Sequence, residues 1–121
     1  MCIRDRIICD SGHNIDGIKS IVEQIKKKSY DELHIVFGVV NNKSIDGILK
    51  LLPKKAKYYF CQAQIPRAMQ SNLLYTKAQE HQLRGNCFKS VADALKKAKT
   101  VAKKNDLIFI GGSTFVVAEV I

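Results

Sequence analysis

Short apolar runs and amphipathic stretches alternate along the whole chain, and that alternation restricts the fold more than any other feature. Ile7 to Cys9, Leu33 to Phe37, Lys57 to Cys61, a weaker Asn86 to Phe88, and Leu107 to Ile110 are short and rich in β-branched or aromatic residues, as strands are. Between them Ile15, Ile18, Val22 and Ile25 mark one helical face, Ile45, Ile48, Leu49 and Leu52 a second, and Val91, Ala94, Leu95, Ala98 and Val101 another, each at a period of about 3.6 residues. A weaker pattern over Met69 to Gln82 predicts a further helix with Leu73, Leu74 and Ala78 on its buried side. Ser44 and Ser90 stand where N-caps belong, with Asp46 and Asp93 in the first turns, and Pro53, Lys54 and Lys55 close the second helix.

Strands separated by helix-length segments call for right-handed βαβ crossovers, hence an α/β fold: a three-layer, Rossmann-like, mostly parallel open sheet. The tail from Ser113 to Ile121 has strand propensity, yet it follows Gly111 and Gly112 and begins with a residue able to cap a helix, so periodicity leaves it open. At 121 residues and 46% apolar composition the chain suits one domain able to bury roughly two thirds of its unfolded surface. No repeat, low-complexity tract or linker divides it. Met1 to Arg6 has neither a cap nor a period that continues into the strand at Ile7. This segment is expected to be non-native or disordered, with the domain running from 7 to 121.

A net charge of +9 permits anionic partners without choosing among them. The lysines at 26 to 28, at 54, 55 and 57, and at 96, 97, 99, 103 and 104 fall on outer helical faces or helix ends, and the consecutive Tyr58, Tyr59 and Phe60 alternate faces instead of forming a stacking platform. Specific nucleic-acid binding is therefore not expected. Cys9, Cys61 and Cys87 lie in apolar strand-like runs with no C-x-x-C, which favours buried reduced thiols over disulfides or zinc. No apolar run approaches about 18 residues and the N-terminus lacks a signal pattern. A soluble, cytoplasmic, monomeric protein without membrane contact is the expectation.

Polar clusters leave the carboxyl ends of the expected strands: Asp10 to Asn14, Gly38 with Asn41 to Ser44, Gln62 to Arg67, and Gly111 to Thr114. In an open α/β sheet ligands bind beyond that edge. Loops are polar in any fold, but Gly12, Gly38, Gly111 and Gly112 fall at or just past strand exits, where a missing Cβ lets backbone approach a ligand. Gly38 to Ser44 lacks the second glycine of a P-loop and is one residue short, and no G-x-G-x-x-G is present. Asp10 can grip a ribose or merely brace its own turn; His13 can bind a carboxylate, relay a proton or stand solvated. Asn14 is a capping candidate. Ser113 has no elbow motif and no evident base, so it reads as a donor or a cap and not a nucleophile. No histidine pair has metal-ligand spacing, so no metal is expected on this domain alone, and neither His34 nor His81 is assigned a role.

D-S-G-H-N from Asp10, V-F-G-V-V-N-N-K-S from Val36, I-P-R-A from Ile65 and D-L-I-F-I-G-G-S-T-F-V-V-A-E-V from Asp106, in that order, resemble the C-terminal domain of bifunctional folylpolyglutamate synthase/dihydrofolate synthase, within the Mur ligase superfamily. That resemblance implies an ATP-dependent ligase: a dihydropteroate or folate carboxylate becomes an acyl phosphate, which the amine of L-glutamate attacks. It implies that Asp10 holds the ATP ribose, that His13 and Ser113 position glutamate, and that Asn14, Lys43 and Arg67 line the same cleft, Asn14 on the ATP side. It makes the tail from Ser113 a helix. The family's P-loop, Mg2+ ligands and folate pocket lie in a large N-terminal domain, none of which is in these residues, so this chain is expected to be inactive alone. Ile15 replaces the proline that often follows the H-N pair, and Asn42 and Ser44 replace the acidic residues flanking the family's lysine. A stand-alone flavodoxin-like module for a small ligand or nucleotide is the competing expectation.

Overall fold

The alternating runs fold into one sheet covered by helices on both faces. The computed structural model describes residues 2–4, 6–41 and 45–120. In chain order the elements are β1 (Cys2–Arg4), β2 (Ile7–Asp10), α1 (Ile15–Lys26), β3 (Leu33–Phe37), α2 (Ile45–Leu51), β4 (Ala56–Phe60), α3 (Ser71–Glu80), β5 (Arg84–Cys87), α4 (Val91–Val101), β6 (Leu107–Gly111) and α5 (Thr114–Ala118). The sheet order is β1-β2-β6-β3-β4-β5. β2 to β6 are mutually parallel, and only β1 runs antiparallel, against β2.

Strand order explains the layers. From β2 to β5 the chain steps in one direction, and α1, α2 and α3 pack their apolar faces with Ile35, Phe37, Tyr58, Phe60 and Phe109 on one side of the sheet. After β5 it turns back to insert β6 between β2 and β3, and α4 and α5 join Val36, Tyr59, Ile108 and Ile110 on the other side. A chain that keeps one hand of crossover must change face when it reverses direction. β3 and β6 are buried at every position, so their side chains feed both cores by the two-residue period of a strand.

The helix boundaries follow the expected caps. Asn14 Oδ1 accepts from Gly17 N at 2.8 Å to start α1, and Ser90 Oγ accepts from Asp93 N at 3.1 Å to start α4. The expected cap Ser44 lies outside the described residues. The tail left open by periodicity is helical at Thr114–Ala118, with Ser113 as its N-cap.

Three details depart from the sequence reading. Leu73, expected buried, is 46% exposed, because Ser71, Leu74 and Ala78 form the inner face of α3 and Leu73 is turned about 100° away from Leu74. Cys87, also expected buried, is exposed and Cys9 is half-buried, while Cys61 is fully buried. Cys87 ends the edge strand β5, which has a partner on one side only. That strand begins at Arg84, two residues earlier than its weak apolar run.

The segment from Met1 to Arg6, expected to be non-native or disordered, contributes β1, with Cys2, Ile3 and Arg4 facing Cys9, Ile8 and Ile7 in register. Arg6 donates from its guanidinium to the carbonyls of Asp106 at 3.1 Å, Ser29 at 2.8 Å and Asn105 at 3.0 Å.

Candidate functional site

One row of register partners crosses the sheet at its carboxyl edge. Asp10 lies beside Gly111, Gly111 beside Phe37, Phe37 beside Phe60, and Phe60 beside Cys87. Backbone bonds continue the row into the loops: Gly38 N donates to Gly111 O at 3.2 Å, Cys61 N to Phe37 O at 2.9 Å and Phe88 N to Phe60 O at 2.7 Å. With strands about 4.8 Å apart, β2 and β4 stand about 14 Å from one another, and the polar loops leave from that width.

The first loop is pinned at both ends. Asp10 Oδ1 accepts from Gly12 N at 2.9 Å, an Asx turn, and Asn14 caps α1. Between them Gly12 presses against the helix, where a Cβ would lie 2.7 Å from Ile21 Cδ1. His13 is left exposed at the top of this braced loop, its one ring contact being Nδ1 to Ser11 O at 3.4 Å. Both structural readings of the sequence therefore hold: Asp10 braces its turn and Asn14 caps.

Ser113 is 3% exposed, and its Oγ accepts from Val116 N at 3.2 Å. That bond uses an oxygen lone pair and leaves the hydroxyl hydrogen to another acceptor. The approach to Ser113 is set by Gly112, at φ +107°, whose Cβ position is occupied by the Gly38 carbonyl oxygen. Only glycine permits that turn, which carries the chain from β6 across the exit of β3.

The loops after β3 and β4 are stitched together. Asn41 N donates to Arg67 O at 2.8 Å, Met69 N to Val39 O at 2.9 Å, and Val40 and Ala68 form an antiparallel bridge. Arg67 is exposed, with its Cζ 5.6 Å from the centroid of the Phe115 ring on α5. The structure thus brings Asp10, His13, Asn14, Ser113 and Arg67 to one edge. Lys43 lies outside the described residues.

Two features escaped the sequence reading. Phe115 is 38% exposed at the start of α5; its signal was the S-T-F order after a capping serine, which puts the aromatic one turn position away from the buried Val116. His34, assigned no role, is fully buried at the opposite end of the sheet. Its Nε2 lies 2.8 Å from Asp106 Oδ2 and its Nδ1 2.8 Å from Tyr59 Oη. Asp106 also accepts from Lys103 N at 3.0 Å and Glu32 N at 3.2 Å. The Nε2–H tautomer satisfies every member, with Tyr59 donating to Nδ1. The Lys103 amide, then the His34 bond and the Glu32 amide, hold the Asp106 carboxyl below the usual range against the opposing effect of burial.

Among the described residues the grouping of metal-capable side chains is Glu32, His34 and Asp106, at this amino end and not at the strand exits. An open depression of about 1280 Å3 also lies there, lined by Lys54, Lys57, Arg84 and Lys97 among others. It does not touch the Asp10, His13 and Ser113 edge. No described helix is long and apolar enough to cross a membrane.

The same fold recurs in known proteins. The chain is 29% identical over 116 residues to a Haloferax volcanii protein named probable bifunctional folylpolyglutamate synthase/dihydropteroate synthase, covering 93% of this chain and 14% of that one. It is 26% identical over 115 residues to the dihydrofolate synthase/folylpolyglutamate synthase of Buchnera aphidicola, covering 94% of this chain and 27% of that one. The structure of E.coli FolC in complex with DHPP and ADP superposes with a TM-score of 0.83 at 28% identity, over 94% of this chain and 27% of the other. The chain therefore spans about a quarter or less of the curated relatives it matches. Residues 3–114 match the family described as Mur ligase, glutamate ligase domain. With that match running from β1 through the row of strand ends to the first residue of α5, the chain belongs to the Mur ligase glutamate ligase domain family.

Proposed function

We propose that this chain is the glutamate-handling domain of an ATP-dependent ligase that adds L-glutamate to dihydropteroate or folates, inactive without a companion P-loop domain. The observation that carries the reading is the single row of strand ends. It sets Asp10 beside Gly111, two residues from Ser113, with His13 projecting from the braced loop above. In this reading Asp10 holds the ATP ribose and Asn14 lines the nucleotide side. His13 and Ser113 position glutamate, and Lys43 and Arg67 line the remainder of the cleft. The relatives' names as folylpolyglutamate synthases, and the ADP in the E.coli FolC structure, support the substrate class.

The residues present fit one half of such a site. They offer an imidazole, a hydroxyl, an amide and a guanidinium to anionic ligands, with Asp10 alone supplying a carboxylate in the first loop. Mg2+, when bound, neutralises phosphate charge during acyl phosphate formation, and no described trio of ligands at this edge holds it. Its ligands are assigned to the companion domain. The amine of glutamate then attacks the acyl carbon, an amide bond forms and inorganic phosphate leaves, while closure of the two domains excludes water. The same reading places the enzyme in the cytoplasm as a monomer with no specific nucleic-acid or membrane partner.

The test is kinetic, in the intact enzyme that carries this domain. ADP release should require both glutamate and a folate or dihydropteroate acceptor, and the isolated chain should release none. His13→Ala and Ser113→Ala should each raise the KM for glutamate more than the KM for ATP. Unaltered glutamate kinetics in both variants would remove these two assignments.

A further inference from the structure

We propose that the free edge of β5, where the basic depression opens at the amino end of the sheet, takes an acidic extended segment of a partner protein as a further strand. Three observations carry this. β5 ends the sheet, so among the described residues only β4 pairs with it, and Arg84, Asn86 and Cys87 stand exposed. Such an edge offers a row of main-chain donors and acceptors to an incoming chain. The open depression of about 1280 Å3 runs beside it: Arg84, Gly85 and Asn86 of β5 line it together with Lys97 of α4, Lys57 of β4 and Lys55 just before that strand. Asn86 is the register partner of Tyr59, which lies in the core under α4, and α4 packs chiefly on β3, β4 and β6, so the same face of β5 carries exposed side chains in place of a helix. Charge is the third observation. Glu32, the one carboxylate lining the depression, is engaged by Lys57 at 3.4 Å, and Lys54 donates to the His81 carbonyl at 3.2 Å. Lys55, Arg84 and Lys97 have no ion pair with a carboxylate of the described residues.

The chemistry of the occupant follows from that placement. Lys57 and Arg84 are register partners and face the side on which Lys97 lies. A segment laid beside β5 turns every second side chain to that side, so acidic residues at alternate positions meet all three cations while the main chain bonds to the edge. The cations come from two strands and a helix, which suits charge repeated along a chain. A single-stranded nucleic acid finds no ring to stack on, because Tyr58 and Tyr59 are 1% and 5% exposed. A second copy of this chain brings Arg84 and its neighbouring lysines against their like. Lysines at an edge repel such pairing, and the same charge attracts an acidic strand. The proposal is independent of the ligase reading, since the depression does not touch the Asp10, His13 and Ser113 edge.

Fluorescence anisotropy on the intact protein that carries this domain tests it, with a labelled peptide in which glutamate alternates with threonine and valine. At physiological ionic strength this peptide should bind at least tenfold more tightly than its glutamine counterpart. Of two peptides N-methylated at alternate sets of amides, one should lose at least fivefold and the other little, because only every second amide of an added strand faces β5. Arg84→Glu and Lys97→Glu should each weaken binding at least fivefold, whereas Lys19→Glu, the same charge change at an exposed position of α1, should stay within twofold. Unfolding midpoints identify a variant that fails to fold, and the strand and helix positions test the surface separately. Glutamate and glutamine peptides that bind alike, or N-methylated peptides that both match their parent, would overturn strand addition by an acidic segment. Tighter binding of an oligothymidylate than of the peptide, lost in the same two variants, would assign the surface to nucleic acid and overturn it as well.

Discussion

The two ends of the sheet solve opposite problems with the same strands. At the amino end side chains do the holding: His34, Asp106 and Tyr59 are buried in a closed hydrogen-bonded set, with the amides of Glu32 and Lys103 completing the acceptor shell of Asp106. At the carboxyl end the backbone does it. A Cβ would meet the Cys61 carbonyl oxygen at 2.7 Å from Gly38, the Phe109 ring at 2.6 Å from Gly111 and the Gly38 carbonyl from Gly112, and the polar side chains of His13, Asn14 and Arg67 are left exposed. The side chains that help at this end, Asp10, Asn14 and Ser113, each do so through an oxygen that accepts from a nearby amide, and His13 and Arg67 are not used in that way. The amino end has no such freedom, because every polar atom of its buried network is already engaged.

On that contrast, the largest loss of stability should come from a backbone position at the carboxyl edge. Gly112→Ala places a Cβ at positive φ against the Gly38 carbonyl and should cost about 4 kcal/mol, read as a drop in the urea midpoint of the domain. A midpoint near wild type would mean the edge is not held by backbone packing.

Asp106→Ala should come next, at about 3 kcal/mol, since it leaves a buried histidine N–H and two amides without their acceptor. The sign of the pH effect is set by the lowered folded-state value of Asp106. The unfolded carboxyl titrates at about 3.9, so the contribution is whole above that pH and disappears as pH falls through the lower folded value. Asp106→Asn should flatten that acid limb in a series of denaturation curves, and an unchanged limb would assign acid sensitivity to other carboxylates.

Ser113→Ala removes one cap of a short helix and should cost about 1 kcal/mol by the same measurement. His13→Ala should change stability by less than about 0.5 kcal/mol, because the ring is exposed and its one contact is long. A large loss at His13 would erase the distinction between the two ends, since an exposed side chain of the carboxyl edge would then be a structural one.

Much of the candidate site's placement is legible in the sequence. The D-S-G-H-N turn was readable because it falls where an apolar run stops and a helical period begins, so its place at a strand exit follows from the local sequence. The caps Asn14 and Ser90 were readable for the same reason. Leu73 was not: two adjacent leucines in a weakly periodic helix leave the inward face undecided until Leu74 and Ala78 meet the sheet. Nor was His34, whose partners lie 25 and 72 residues away in sequence.

The sequence by itself determined the alternation of strand and helix, the α/β class, the glycine-marked exits and the helix starts, because each depends on residues within a few positions of one another. Only the tertiary structure decided that β6 inserts between β2 and β3, that Arg67 lies over Phe115, and that Asp106 closes on His34. Those depend on which distant segments become neighbours, and that is set by the summed burial of two cores and the hand of the crossovers, not by any local stretch of chain.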